Sequence, residues 1–428
     1  MRTKKKLSLA ALGAVVLLTL TACGASSAEP EPTGPGDSGE SGVPFGASKE
    51  EYQAAFEDIE PITIIGQTVA AQGSILGLKE EAYFAAVEEW SGGKITFDIG
   101  YAYAYAGVTE IHDAISEGRL DLGTMSTGVT PAEFPTYSAV SNLTFMSPTG
   151  AAVYPLQSNA YMQELTFETP GFVEEFEAQG LHVLVPFMNI GAAAPACRED
   201  LTDFHNRIAA AGGAGVSTQL EGLGFGITGL VPNELYEGLQ RGTLDCGVIA
   251  PLALVGFGVL DVAPYLFVPQ ETSFAVGGGS LVIGKEKWDS LPLVAQQLLS
   301  DRLDVYYGAV IDTYWESAAQ AIDQAEAARG GLRFLTDEQD AELAEASDAL
   351  LDNVRASDHI DDPEQVIGLA EDLSAKWRTF VESDMGVDPE ITFADVAQWA
   401  EKNGAEARDA LLEELWKEVF IPRRPGGE

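Results

Sequence analysis

Two α/β lobes spanned by a long bracing helix, with a helical C-terminal extension, are the fold that this 428-residue sequence predicts. Three observations predict it. Strand-like and helix-like stretches alternate from about residue 62 to residue 250. One helix–strand unit occurs twice, near residue 110 and again near residue 234. Residues 292–330 contain no internal proline and carry apolar residues at helical spacing (Leu298, Leu299, Leu303, Tyr306, Val310, Tyr314).

In chain order, Ile62–Thr68 reads as a strand and residues 76–90 as a helix that ends before Ser91-Gly92-Gly93. Lys94–Tyr105 reads as the next strand, followed by a helix and a strand within 109–127. In the second half a strand near Arg207–Ala211 meets the glycine-rich GGAG (212–215) and a helix around 216–222. A strand near 225–231 precedes the helix and strand of NELYEGLQRGTLDCGV (233–248). Alternation of this kind implies mostly parallel sheets covered by helices, with ligands at the carboxyl ends of the strands. A helix over 292–330 would run about 57 Å, longer than one small lobe, and so braces both. Residues 336–428 read as helical throughout.

The repeated unit aligns without gaps: EIHDAISEGRLDLG (110–123) on ELYEGLQRGTLDCG (234–247). Each copy is a short helix with an acidic start, stopped by Gly118 or Gly242, then a strand introduced by Leu-Asp. Two lobes of similar architecture, each with one such unit, are the economical reading.

The ends differ from the middle. Arg2, Lys4, Lys5 and Lys6 precede an apolar run over 7–22, and Cys23 follows Leu20-Thr21-Ala22, the pattern of a lipoprotein signal peptide (1–22) with a lipidated Cys23. Residues 23–48 are rich in Gly, Ser, Pro and Glu and read as a flexible linker. The expected division is then lobe 1 over 49–189 plus 273–310, lobe 2 over 190–272 plus 311–345, and the extension over 346–428. Removing 1–22 takes away four cations and no anions, moving the net charge from −42 to −46. That charge opposes nucleic acid and anionic lipid headgroups, so membrane attachment is expected through the lipid anchor only. Cys197 and Cys246 are an even pair in an exported, oxidising setting and are expected to form a disulfide.

Enzyme motifs are missing or misplaced. GFGITG (224–229) follows a helix and leads into a strand, the reverse of the dinucleotide-binding context. There is no G-x-S-x-G and no H-E-x-x-H, and His112, His182, His205 and His359 show no metal-ligand spacing. A thiol site of Cys246, His205 and Asp245 is opposed by the repeat, which has Leu122 in place of the cysteine. No cofactor, metal or catalytic residue is expected.

SGGKITFDI after the first helix, the E-x7-G-R-L-D-L-G unit and above all E-L-Y-E-G-L-Q-R-G-T-L-D resemble the solute-binding proteins of TRAP (tripartite ATP-independent periplasmic) transporters, of the DctP type. The resemblance covers about residues 62–345. It implies a periplasmic-binding-protein-like (type II) fold whose two lobes close on a small molecule, usually an organic acid. It also implies an extracytoplasmic, monomeric carrier that delivers the solute to the small and large subunits of a membrane permease. A binding lipoprotein of an ABC transporter or a sensor, and less so an anchored enzyme, are the alternatives.

This chain departs from the family pattern. The arginine that grips the ligand carboxylate falls on Ala209 when residues are counted without gaps, with Arg207 two positions before it. A gap in the following helix would put Arg207 on that position, so a pocket-facing Arg207 and a surface Arg207 both stay open. Ile249 stands near a ligand-touching asparagine of the family, and Ser126, followed by Thr127, where some members place an acid. Either the solute is more apolar or neutral than a sialic acid or C4-dicarboxylate, or the GGAG segment at Gly212 captures a carboxylate with backbone N–H groups; an organic acid with an apolar body is the favoured expectation. Gln67, Thr68, Tyr103, Tyr105, Phe187, Asn189 and Val248 are further ligand candidates, with ordinary loop or core packing as the competing reading. Asn233 is a candidate too, and helix capping is its competing role.

Overall fold

The computed structural model describes residues 42–189, 191–230 and 232–427. Cys23, the segment 1–22 and most of the linker lie outside the described residues, as does the side chain of Asn233.

Eleven strands are described: β1 (Ile62–Gln67), β2 (Ile95–Gly100), β3 (Leu122–Met125), β4 (Leu181–Met188), β5 (Ala194–Cys197), β6 (Ile208–Ala211), β7 (Gly226–Gly229), β8 (Cys246–Ile249), β9 (Tyr265–Val268), β10 (Gly279–Gly284) and β11 (Gly331–Phe334). They form two sheets, one ordered β2-β1-β3-β10-β4 and the other β11-β9-β5-β8-β6-β7. The fold is the expected α/β architecture of two lobes, but the sheets are mixed rather than mostly parallel. β10 runs antiparallel to β3 and β4, and β5 antiparallel to β8 and β9. The reason is topological. β5 and β10 each arrive from the other lobe, so each enters its sheet at the cleft end and runs against strands that finish there.

The repeat in the sequence is a repeat in space. Gly118 and Gly242 adopt φ of 72° and 73°, a left-handed turn that glycine takes without steric cost. The following aspartates then do the same job twice. Asp121 Oδ2 accepts from the Ile65 N–H of β1 at 2.8 Å, and Asp245 Oδ2 accepts from the Ile208 N–H of β6 at 2.8 Å. The matched strands are β1 with β6, β2 with β7, β3 with β8 and β10 with β5.

Two elements differ from their expected extents. β2 stops at Gly100 instead of reaching Tyr105, because Ala102 and Tyr103 take φ of 53° and 58°, which ends the extended chain. The brace is two helices, Leu293–Asp301 and Leu303–Ala327, separated at Arg302, whose guanidinium sits 3.7 Å over the Trp90 ring. The second helix, 25 residues and about 37 Å long, still reaches both lobes. Its aromatic half (Tyr306, Tyr307, Tyr314, Trp315) is buried in the core of lobe 1, and Ala321 and Ala325 pack into lobe 2.

The expected boundary at residue 346 falls inside helix Asp337–Arg355, so it does not separate two elements. Thr336 opens this helix with a capping box to Gln339. The helix lies on Ala214–Gly222 of lobe 2 and reaches Asn142–Met146 of lobe 1. Helix Pro363–Thr379 packs on Tyr154–Glu168 of lobe 1. The last residues return to the start: Arg424 pairs with the buried Asp301 and donates to Val43 O at 2.9 Å. Residues 42–48 are thus docked on lobe 1 rather than forming the end of a free linker, with Val43 N–H donating to Gln297 at 2.7 Å and Ser48 capping helix Lys49–Ala55. Among the described residues, no helix is long and apolar enough to cross a membrane.

Candidate functional site

A cavity of about 220 Å³ lies where the carboxyl ends of the two sheets meet. Lobe 1 lines it with Val69 after β1, with Thr124 and Ser126 at the end of β3, and with Tyr103 and Lys79. Lobe 2 lines it with Gly212 after β6, Leu230 after β7, and Val248, Ile249 and Ala250 at the end of β8, with Phe257 beyond. The two crossings between lobes close the back, through Met188, Gly191 and Ala193 on one side and Ala275–Gly279 on the other. Gly191 takes φ of 136°, and a Cβ there would lie 2.6 Å from the Tyr314 ring, so the crossing passes against the brace too closely for a side chain.

The repeat puts like positions opposite each other. Thr124 matches Val248 and Ser126 matches Ala250, so the same two places carry hydroxyls in lobe 1 and only methyl groups in lobe 2. The loop after β2 adds Tyr103, half-buried, its hydroxyl pKa pushed up by burial while a hydrogen bond from Ser126 opposes the shift. Lys79, near the start of helix Leu78–Trp90, is the one charged side chain among the lining residues and is 3% exposed. Its Nζ donates to Leu76 O at 2.6 Å and to Glu80 Oε2 at 3.0 Å. Glu80, fully buried, also accepts from Thr124 Oγ1 at 3.1 Å.

Of the sequence-derived candidates, Tyr103, Ser126, Gly212, Val248 and Ile249 line the cavity. The others do not. Gln67 is buried and spends its amide on the loop after β2, accepting from Tyr105 N–H at 2.6 Å and Ala106 N–H at 2.9 Å and donating to Ala106 O at 2.8 Å. Thr68 is buried behind the same loop and accepts from Ala70 N–H. Tyr105, half exposed, lies over Gly100 outside the cavity, because the turn at Ala102 and Tyr103 sends it away. Thr127 donates to Ser280 in the core, Phe187 stacks on Tyr137 at 5.3 Å, and Asn189 is taken up by Tyr154 and the Gly191 N–H.

Arg207 is a surface residue. It precedes β6, at the end of the strand opposite the cavity, and faces Glu199 at 3.4 Å and Asp245 at 3.5 Å. Ala209 is fully buried within the sheet. Cys197 and Cys246 sit opposite each other on β5 and β8 and are joined by a disulfide, which removes Cys246 as a nucleophile. In lobe 1 the matching positions on β10 and β3 are the apolar pair Ile283 and Leu122.

Lys79 is the charged lining residue that the sequence reading passed over, as it did Thr124, Leu230, Ala250 and Phe257. Its signal was Glu80, which falls on the apolar stripe with Tyr83, Phe84 and Val87, where a carboxylate requires a buried partner.

The model of the DctP family, "Bacterial extracellular solute-binding protein, family 7", matches residues 66–358. The chain belongs to that family. The match runs past residue 345, so helix Asp337–Arg355 is part of the span shared with other family 7 proteins. Solved structures that share the fold include a TRAP periplasmic solute-binding protein from Sulfitobacter sp. NAS-14.1 with bound β-D-galacturonate. It is 16% identical over 72% of this chain and 99% of its own, with a TM-score of 0.60. A marine metagenome TRAP solute-binding protein specific for aromatic acid ligands is 17% identical over 74% of this chain and 99% of its own, at 0.63. The ectoine-binding protein of the TeaABC TRAP transporter of Halomonas elongata is 18% identical over 74% and 99%, at 0.59. No curated protein matches the chain in sequence. As a family 7 protein it is an extracellular solute-binding protein, and the cavity between its lobes is the candidate solute site.

Proposed function

We propose that this protein captures a small organic acid with an apolar body between its two lobes and delivers it to a TRAP-type membrane permease. The observation that carries the ligand class is the asymmetry of the cavity. Lobe 1 carries the polar lining, Lys79, Tyr103, Thr124 and Ser126, beside the apolar Val69, Leu76 and Val129, while lobe 2 offers only apolar residues and glycine, among them Val248, Ala250, Leu230 and Phe257. A solute that fills such a space has its polar head on lobe 1 and its apolar body on lobe 2. Delivery to a TRAP permease is supported by the similar structures, each described as part of a TRAP system. Closure by hinge motion at residues 191–193 and 269–278 would follow from contacts made by both lobes.

Titration calorimetry with a panel of small carboxylic acids tests the ligand class. Binding of one or more acids with one solute per chain is expected, and binding only to solutes without an acidic group would overturn it. The chain is further proposed to be held at the outer face of the membrane by a lipid on Cys23. Cys23→Ser should move it from the detergent phase to the aqueous phase on phase partition, and unchanged partition argues against the anchor.

A further inference from the structure

We propose that Lys79 takes the acidic head of the solute, and that the site accepts one carboxylate rather than two. This rests on the reading of the cleft as a solute site. An ammonium carries three N–H donors. Two go to Leu76 O and Glu80, which leaves one without a protein acceptor on a side chain that borders the cavity. Lys79 and Thr124 line the lobe 1 wall and are joined behind it by Glu80, with Tyr103 and Ser126 on the same lobe. A buried ion pair contributes little that well-packed apolar residues would not, so stability alone does not explain this one. Its place at a cavity wall does, because a buried ammonium with one donor left over can also meet the acidic head of a solute in a charge-assisted hydrogen bond.

The charge balance sets the number of carboxylates. The charge of Lys79 is already opposed by Glu80, so one incoming carboxylate gives the buried group a net charge of −1. A second would enter with no cation in reach, since Arg207 is held by Glu199 and Asp245 outside the cavity. The anion contact therefore sits on lobe 1, on a helix, instead of on the β6 strand of lobe 2 where Ala209 now stands.

The test uses the full chain, with phenylacetate, cyclohexanecarboxylate and octanoate as probes, each paired with its amide, and phenylmalonate as the matched diacid. At least one acid should bind tenfold or more tightly than its amide, and phenylacetate tenfold or more tightly than phenylmalonate. Lys79→Met should weaken the acid at least tenfold and the amide less than threefold. Unchanged acid affinity in Lys79→Met overturns the assignment while leaving the cleft reading intact. If Lys79→Met fails to fold, the acid-to-amide ratio of the natural chain decides, and a ratio near one overturns the proposal. Mass analysis of solute carried through purification separates the remaining cases. A bound solute without a carboxylate, or with two, sinks the role of Lys79 alone, whereas no bound solute and no probe binding sinks the cleft reading as well.

Discussion

Arg207 and Lys79 show how a residue's place along a strand decides what it can do. Arg207 comes five residues before Gly212, so at about 3.3 Å per residue it stands roughly 16 Å from the cleft end. Its ion pairs are solvent-exposed and contribute about 1 kcal/mol at most. Arg207→Ala is therefore expected to change solute affinity less than twofold by titration calorimetry, and a tenfold loss would mean that the residue reaches the cleft. His182 tests packing at the same scale. It stacks on Trp288 at 4.0 Å, and burial, with Lys285 nearby, lowers its pKa from 6.5 to about 4. Between those values the unfolded chain binds a proton that the folded chain refuses. Stability should then fall as pH drops from about 6.5 to about 4, by up to about 3 kcal/mol, and level off below. Urea unfolding at pH 7 and pH 4.5 should show this loss, and His182→Phe should reduce it; the same loss in the variant would exclude His182 as its source.

At the scale of elements, the repeated helix–strand unit was fully legible, because Gly118, Gly242, Asp121 and Asp245 perform one backbone task twice. What followed β2 was not. Alternating Tyr101, Tyr103 and Tyr105 read as strand, yet positive φ at two non-glycine residues is a tertiary effect, held by the Gln67 amide 38 residues away from Tyr105. The direction of β5 and β10 was also hidden, since nothing local in a strand records which lobe the chain came from. The disulfide ties β5 to β8 across a sequence separation of 49. Chain entropy then assigns it about 4 kcal/mol. A Cys197→Ala/Cys246→Ala variant should unfold at lower urea by that order, and thiol labelling of the unreduced protein should find neither cysteine reactive. Two labelled thiols would contradict the pairing.

On the scale of the whole molecule, the two lobes share one brace, and helix Asp337–Arg355 binds both of them. Helix Asp337–Arg355 packs so closely on lobe 2 that a Cβ on Gly222 would come within 2.5 Å of Ala346 Cβ. Arg424 and Asp301 fasten the C-terminal residues to the point where residue 43 enters lobe 1. The helical character of residues 336–428 could be read from their periodicity, but the contact of helix Asp337–Arg355 with both lobes could not, because no pattern within one helix names its neighbour. The same holds for the cavity. Gly212, Val248 and Ile249 were reachable from strand order, and the repeat already sets Thr124 against Val248 and Ser126 against Ala250, but that these positions face one cavity emerges only from the fold. The central claim is that this face-to-face space holds one solute. Native mass spectrometry of the full chain tests it most directly, comparing the natural sequence with Gly212→Trp. A Cβ at that position meets only Leu230, at 3.5 Å, and its side chain extends into the cavity. One small molecule per chain, lost in the folded Gly212→Trp variant, is the predicted result; a molecule retained at full occupancy in that variant would contradict the claim.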